Sequence, residues 1–187
     1  ASAKKIQSVV KDVIRMSNEK SCCCSASSCC NTKSITPYDK NDKWVTGEIF
    51  TLKGSVPVVS TNLHFKDIFG AWKVRWGIGR MNYKISPGLY AVGKPDHTSP
   101  VLVSANYKLT FDVLRKELSG LDCWILILDT KGINVWCAAG KGTFGTYELV
   151  NRISKTGLSE IVSHRKLVLP QLGAPGVSAH EVTKQTG

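Results

Sequence analysis

Wholly apolar segments alternate with amphipathic segments in the second half of the chain, and this pattern limits the possible folds more than any other feature. Residues 101–104 and 124–128 are apolar enough to form strands buried on both faces of a sheet. Helical periodicity covers residues 111–118, with Thr110 as the expected N-cap, and returns over residues 147–156. Strands separated by such helices predict an α/β fold, Rossmann-like, with a mostly parallel sheet flanked by helices.

Further elements extend this pattern toward both ends. The other predicted strands are residues 48–52, 56–59, 133–136 and 167–169. A further helix is predicted over residues 65–76, where aromatic and aliphatic residues recur at helical spacing. Loops are expected around Gly77 and around Pro87-Gly88.

The length of 187 residues suits one domain with appendages. We predict a globular domain over residues 44–187, an amphipathic helix from Ile6 to Ile14 within residues 1–20, and a Cys- and Ser-rich flexible linker over residues 21–43. No apolar run approaches the roughly 20 residues that span a bilayer. Because no secretory signal is visible, we expect this chain to be a soluble, cytoplasmic fragment of a longer protein.

The chain is strongly basic, with 25 Lys and Arg against 14 Asp and Glu and a net charge of +11. Such a charge attracts nucleic acid, anionic lipid or a phosphorylated cofactor without choosing among them. No nucleic-acid-binding motif is visible, and the tryptophans are interpreted as core residues. A basic binding module is therefore the least favoured hypothesis, and no nucleic-acid partner is predicted.

Five of the seven cysteines cluster in the predicted linker. They are Cys22, Cys23, Cys24, Cys29 and Cys30. Adjacent cysteines and an odd total make a poor disulfide framework, which favours a reducing compartment. The spacing does not match a zinc site, although dense thiols bind soft metal ions. An unstructured tail is the favoured interpretation, with a soft-metal tail as the alternative.

The segment from Gly140 to Gly145 matches the dinucleotide fingerprint G-x-G-x-x-G and lies about twenty residues before Glu160. Two features count against this interpretation. Three residues, Cys137 to Ala139, separate the preceding predicted strand from the first glycine, and Glu160 precedes a polar stretch instead of ending a strand. A nicotinamide- or flavin-dependent oxidoreductase using this loop remains the alternative function.

Ligands of open α/β sheets bind at the carboxyl ends of the strands. Three predicted loops qualify: residues 104–107, 129–132 and 171–176. A fourth segment, residues 134–145, carries Cys137 on a run of small residues that would let a large flat molecule approach the backbone closely. Free cysteine is commonly a small buried hydrophobe, so the pattern alone leaves a functional and a packing role for Cys137 open.

The segment around Cys137 resembles the cap-helix motif of the mercury-methylating corrinoid proteins. The residues that carry the resemblance are Asn134-Val135-Trp136-Cys137-Ala138-Ala139-Gly140-Lys141. Similar matches run through residues 81–83, 87–93, 103–108, 129–132, 142–146 and 170–176. The corrinoid domain of the corrinoid iron–sulfur protein of acetyl-CoA metabolism is a relative, and by the resemblance Cys137 is what separates the two.

The resemblance implies a corrinoid-binding domain in which a cap helix lies over a base-off cobalamin or related corrinoid. Cys137, as a thiolate, would be the catalytic residue and the lower axial ligand of the cobalt. The other implied cofactor-binding residues flank it or lie in the loops named above. They are Asn134, Val135, Trp136, Ala138, Ala139, Gly140, Lys141, Thr143, Ser104, Asn106, Thr130 and Gly132.

The implied activity is transfer of a methyl group from cobalt to Hg(II), forming methylmercury, with thiolate donation favouring release as a carbanion-like or radical species. The implied partners are a ferredoxin-like iron–sulfur electron donor and a methyltetrahydrofolate-linked methyl donor, in an anaerobe. The full-length protein would lie at the cytoplasmic face of the inner membrane, through a C-terminal membrane domain absent from this chain. In that setting, the soft-metal alternative for the cysteine tail would include binding of incoming Hg(II).

Overall fold

The computed structural model describes residues 12–15, 34–38 and 42–187, and its centre is a seven-stranded sheet. The strands are β1 Asp12–Arg15, β2 Val45–Thr51, β3 Gly54–Val59, β4 Gly88–Val92, β5 Val101–Ala105, β6 Cys123–Leu128 and β7 Lys166–Leu169. Their order in the sheet is β1-β7-β5-β6-β4-β3-β2. The helices are α1 Phe65–Arg75, α2 Lys108–Glu117, α3 Val135–Gly140, α4 Thr146–Thr156, α5 Leu158–Ile161 and α6 Ala179–Thr186. Two short 3-10 helices span Arg80–Asn82 and Gln171–Gly176.

The sheet is mixed, with a parallel centre. β5 pairs in parallel with β6 and β7, and β3 pairs in parallel with β4. The pairs β1–β7, β4–β6 and β2–β3 are antiparallel. The parallel centre brings the ends of β5, β6 and β7, at Ala105, Leu128 and Leu169, to one edge, here named the carboxyl edge. The α/β fold with helices flanking the sheet is confirmed.

The sheet is buried on both faces, which explains why its central strands are wholly apolar. On β6, Ile125 and Ile127 pack on one face in a cluster with Phe111 of α2. Leu126 and Leu128 point to the other face, where Val135 of α3 and residues of α4 cover them. α2 and the α3–α4 pair therefore lie on opposite sides of the sheet.

Most predicted elements are confirmed, and the exceptions have local causes. Residues 133–136 do not form a strand, because Asn134 is the N-cap from which α3 starts. Thr110 is not the N-cap of α2, which begins at Lys108 after Tyr107. The sequence analysis missed β4, because Pro87-Gly88 was interpreted as a loop and the short buried strand begins at that glycine. The first 3-10 helix and the terminal helix α6 were also missed.

The N-terminal residues differ from the predicted helix where they are described. Asp12–Arg15 pairs antiparallel with β7 as an edge strand, so these residues do not belong to the amphipathic helix predicted within residues 1–20. The rest of that helix lies outside the described residues. Within the predicted linker, Thr36 is buried, and its hydroxyl donates to the Leu89 carbonyl at 2.7 Å and accepts from the Leu89 amide at 2.8 Å. This segment therefore packs against the start of β4.

A buried ion cluster of Asp67, Lys108, Asp112 and Arg115 joins α1 to α2. Lys108 lies 2.8 Å from a carboxylate oxygen of both Asp67 and Asp112. Arg115 is completely buried and pairs with Asp67 at 2.8 Å and with Asp112 at 2.9 Å. Its remaining donors reach the carbonyl oxygens of Ser60 and Asn62, at 2.6 and 2.9 Å. Every buried charge in the cluster has an opposite partner, as burial requires.

This cluster predicts acid sensitivity. Burial opposes ionisation of Asp67, but hydrogen bonding and charge from Lys108, together with the His64 amide and the Arg115 charge, outweigh it and hold the pKa of Asp67 below its ordinary value of 3.8. A carboxylate with a lowered folded-state pKa stabilises the fold above its unfolded pKa, and that stabilisation is lost as pH falls through the folded value. We expect the free energy of unfolding, measured by urea denaturation, to fall below about pH 4, and to fall less in Asp67→Asn. Equal slopes for the two proteins would contradict this assignment.

Candidate functional site

The helix α3 is a short helix at the carboxyl edge, held by its cap and its inner side. The Asn134 side chain accepts a hydrogen bond from the Cys137 backbone amide at 3.0 Å, which satisfies one of the free amides at the helix start. Val135 and Ala138 are buried against the core. The helix ends at Gly140, and the cap residue Lys141 donates its backbone amide to the Cys137 carbonyl. Local sequence thus places each residue of α3 on a defined side.

The outer face of α3, defined as Trp136, Cys137, Gly140 and Lys141, points away from the core. The thiol of Cys137 is exposed, whereas that of Cys123 is buried in β6. Burial raises the pKa of the Cys123 thiol to about 12, which keeps it protonated and agrees with a packing role. Trp136 is 68% exposed. Of the two described cysteines, only Cys137 can reach a ligand.

No steric contact with the described residues requires a glycine at position 140. A Cβ built at this position meets nothing within 4 Å, and the backbone is helical, where glycine is unfavourable relative to alanine. The space above Gly140 is therefore open directly beside the Cys137 thiol. A large flat group can approach the α3 backbone there without displacing any described residue.

The segment 171–176, after β7, supports α3 from below. A Cβ at Gly173 would lie 2.5 Å from the Phe144 ring and 2.9 Å from Val135, so only glycine allows this close approach. Phe144 is fully buried between this segment and α3. Both the glycine and the phenylalanine lie in segments that the sequence analysis selected, although it did not identify their packing role.

The loop that leads into α3 is fixed by Asn106. Its side-chain oxygen accepts from the backbone amides of Thr130 and Gly132, at 3.2 and 2.9 Å, and lies 2.9 Å from the Thr130 hydroxyl. Lys131 and Gly132 have φ values of 59° and 75°, which produce the sharp turn. Asn106 and Thr130 are buried, and so is Ser104 in β5. The structure gives these residues a supporting position at the base of the site, and direct contact with a ligand stays a prediction.

Glu148, which the sequence analysis did not single out, ties α4 to the same loop. Its carboxylate accepts from the Asp129 amide at 3.0 Å and from the Arg152 guanidinium at 2.6 Å. Partial burial acts to raise the pKa of Asp129, but hydrogen bonding from Lys131 contributes to a net lowering of that pKa. Asp129 therefore stays ionised and pairs with Lys131 of the same loop at 2.6 Å. The only sequence signal for Glu148 is an acid in the first turn of a helix, which is common in proteins.

The glycine loop lacks the context of a dinucleotide site. Gly140 ends a helix instead of following a strand, Gly142 has a φ of 73°, and Gly145 is the N-cap of α4. The proposed ribose acid, Glu160, pairs with Lys53 at 2.8 Å and does not end a strand. The fingerprint requires a tight strand-to-helix turn, so the geometry disfavours the oxidoreductase alternative.

The predicted residues from Asn134 to Lys141 are thus brought together on one short helix. Thr143 joins them through a backbone hydrogen bond to the Ala138 carbonyl at 3.0 Å. Among the described residues, no group of three or more His, Cys, Asp or Glu side chains is arranged to hold a metal ion. The cysteine tail, Cys22 to Cys30, lies outside the described residues.

The chain is thus an α/β domain that presents a thiol on a short helix at the carboxyl edge, where open α/β sheets bind their ligands. The family model described as CO dehydrogenase/acetyl-CoA synthase delta subunit matches residues 79–186, and the chain belongs to this family. Membership in this family confirms the predicted relationship to a protein of acetyl-CoA metabolism.

Curated relatives agree with this assignment. The acetyl-CoA decarbonylase/synthase complex subunit gamma of Methanopyrus kandleri is 38% identical over 89 residues, covering 46% of this chain and 19% of the relative. The gamma subunit of Methanocaldococcus jannaschii is 37% identical over 92 residues, covering 48% and 19%. That of Archaeoglobus fulgidus is 33% identical over 97 residues, covering 51% and 21%. The chain spans about a fifth of the length of these relatives. In the described part of the chain, no helix combines the length and apolarity needed to cross a membrane.

Proposed function

We propose that this protein is a corrinoid-dependent methyltransferase that passes a methyl group to inorganic Hg(II), forming methylmercury. The observation that carries the proposal is the exposed Cys137 thiol on the outer face of α3, beside the open space at Gly140. The resemblance to the mercury-methylating corrinoid proteins supplies the substrate. Family membership supplies the corrinoid class.

The residues present fit a corrinoid. A thiolate is a strong soft donor to cobalt, and metal coordination deprotonates a thiol directly. Gly140 leaves room for a flat macrocycle, and Trp136 offers an exposed apolar edge beside it. Lys141, exposed at the end of α3, would pair with an anionic group of the corrinoid. When bound, the corrinoid supplies a cobalt centre that accepts and releases a methyl group.

The chain itself would hold the thiol in position. The Asn134 cap fixes the backbone at Cys137, and the buried Val135 and Ala138 prevent α3 from rotating. Gly173 and Phe144 fill the space below the helix, so α3 cannot move inward. A ligand thiol held by packed neighbours loses little conformational freedom on binding, which favours coordination over a flexible cysteine.

Partners and location follow as part of the proposal. A ferredoxin-like iron–sulfur protein would supply electrons, and a methyltetrahydrofolate-linked system would supply the methyl group, at the cytoplasmic face of a membrane.

The names of the gamma-subunit relatives favour a second candidate, a methyl carrier within an acetyl-CoA decarbonylase/synthase complex. Methyl transfer to Hg(II) by the loaded protein separates the two candidates.

The first test is the visible absorption spectrum of the protein reconstituted with methylcobalamin. We expect a base-off spectrum with a further shift that disappears in Cys137→Ala, because the thiolate would no longer reach cobalt. No bound corrinoid in either protein, with tight binding of a nicotinamide cofactor instead, would move the assignment to the oxidoreductase.

A second variant tests the open space itself. Gly140→Leu should weaken methylcobalamin binding about tenfold or more, because the side chain would occupy the space next to the thiol. The matched control is Gly47→Leu on β2, where a Cβ likewise meets nothing within 4 Å. Both variants should fold, and the dissociation constant of the control should match wild type. Unchanged binding by Gly140→Leu would remove α3 from the corrinoid site.

A further inference from the structure

The helix α1 presents its apolar side to solvent. Its exposed large side chains are Phe65, Ile68, Phe69, Trp72 and Trp76, here named the aromatic ridge, with exposures from 50% to 81%. Rings along the ridge contact one another, with centroids 4.8 Å apart for Trp72 and Trp76. The sequence analysis interpreted these tryptophans as core, and the structure shows that this was wrong. An apolar patch of this size marks an interaction surface.

The inner side of α1 is the polar one, and it anchors the helix without the ridge. Asp67 enters the buried ion cluster, and a Cβ at Gly70 would lie 2.7 Å from the Tyr83 hydroxyl. Val74 is the only buried apolar side chain of α1. Because ion pairs and close backbone contact hold α1 in place, the ridge is not needed for folding and is available for binding.

Basic residues flank the ridge on both sides. At 100° per residue, Lys66 and Lys73 fall on one flank and Arg75 on the other. The single carboxylate of α1, Asp67, points inward and is already paired. Beyond α1, Lys116 and Glu117 of α2 line the groove next to the ridge and balance each other. The charge presented with the ridge is therefore positive.

We propose that α1 docks on the surface of an anionic phospholipid bilayer, with the aromatic ridge at the headgroup boundary. An exposed apolar ridge flanked by cations is the arrangement of an interfacial helix, in which aromatic rings enter the boundary and Lys and Arg contact lipid phosphates. Among the described residues, none accepts a hydrogen bond from the indole N–H of Trp72 or Trp76, which leaves both donors available to headgroups. The net charge of +11 adds long-range attraction.

Docking through α1 leaves the candidate corrinoid site open. α1 is bound to α2, which covers one face of the sheet, whereas α3 packs on the opposite face. The outer face of α3 would therefore remain accessible to a cofactor and to soluble partners while α1 lies on the bilayer. The inference stands apart from the proposed methyl transfer.

Vesicle co-sedimentation of the 187-residue chain tests this inference. We expect binding to vesicles of phosphatidylcholine with 30% phosphatidylglycerol, a probe composition of about one anionic lipid in three, and weak binding to phosphatidylcholine alone. Trp72→Ser and Phe69→Ser should each lower the partition coefficient on the order of tenfold. Phe50→Ser on β2 is the control at an aromatic residue outside the ridge that is even more exposed, at 74%, and it should bind like wild type.

A comparison of two triple variants with equal net charge completes the test. Changing Lys66, Lys73 and Arg75 together to Gln should weaken binding to the anionic vesicles. The same change at the exposed Lys94, Lys155 and Lys184 gives an equal net charge and should have little effect. Equal loss in both triple variants, or wild-type binding no stronger than that of Trp72→Ser, would overturn the proposal. Dimerisation in solution that Trp72→Ser abolishes, without vesicle binding, would instead assign the ridge to a second copy of this chain.

Discussion

Replacing Cys137 by alanine should abolish methyl transfer from the methylcobalamin-loaded protein to Hg(II). Loss of an outer-shell partner of a metal ligand typically costs 10–100-fold, so loss of the ligand itself should cost more than about 100-fold. The exposed thiol has no structural role in the described chain, so the variant should fold normally. The measurement is methylmercury formed in a single turnover, with folding checked by circular dichroism.

The control for this prediction is Cys123→Ala. It also removes one thiol, but from a buried position in β6, and it leaves Cys137 and the cysteine tail intact. We expect modest loss of stability and near-normal methyl transfer. If both variants transferred the methyl group equally well, the axial-ligand role of Cys137 would be refuted. If both lost it equally, thiols in general would be responsible and not the outer face of α3.

Arg115→Met should strongly destabilise the domain. The change leaves Asp67 and Asp112 with Lys108 as their only cation and removes the donors to the Ser60 and Asn62 carbonyls. Removing one partner of a buried ion pair typically costs about 3–5 kcal/mol, because the remaining charge stays buried without compensation. We expect a loss of this size in the free energy of unfolding, measured by urea denaturation at pH 7.

A neighbouring substitution provides the comparison. Lys116→Met changes the same charge on the same helix at an exposed position, and should alter stability by no more than about 0.5 kcal/mol. Hydrogen exchange adds a second readout, because α1 is anchored through the ion cluster and should lose protection first in Arg115→Met. A loss below about 1 kcal/mol for Arg115→Met would show that α1 does not depend on the cluster.

How well the sequence predicted each element depended on the range of the interactions that form it. The strands at 101–104 and 124–128 were predicted because burial on both faces requires an apolar run, which is visible locally. The helix at 147–156 was predicted because its periodicity and its end at Gly157 are also local. β4 was missed because a strand of five residues starting with a glycine carries the signals of a loop.

The same distinction between local and long-range interactions applies to the candidate site. The motif from Asn134 to Lys141 is contiguous, so the sequence identified it together with its chemistry. That the thiol of Cys137 points outward, and that Gly140 faces open space, depends on which side of α3 meets Phe144 and Gly173, and these contacts come from distant segments. Asn106 and Thr130 were predicted as ligand contacts from the resemblance and from their place in loops that follow strands, and the structure buries both.

The sequence by itself determined the α/β class, the parallel centre and the cysteine motif, because short-range patterns of apolar and small residues specify all three. Only the tertiary structure decided that α1 turns its apolar side to solvent and its polar side to the core. Its periodicity indicates an amphipathic helix but not which side faces the core. That choice depends on Arg115, which lies 48 residues from Asp67 in the sequence. The buried charge of Arg115 is compensated by two carboxylates, Asp67 of α1 and Asp112 of α2.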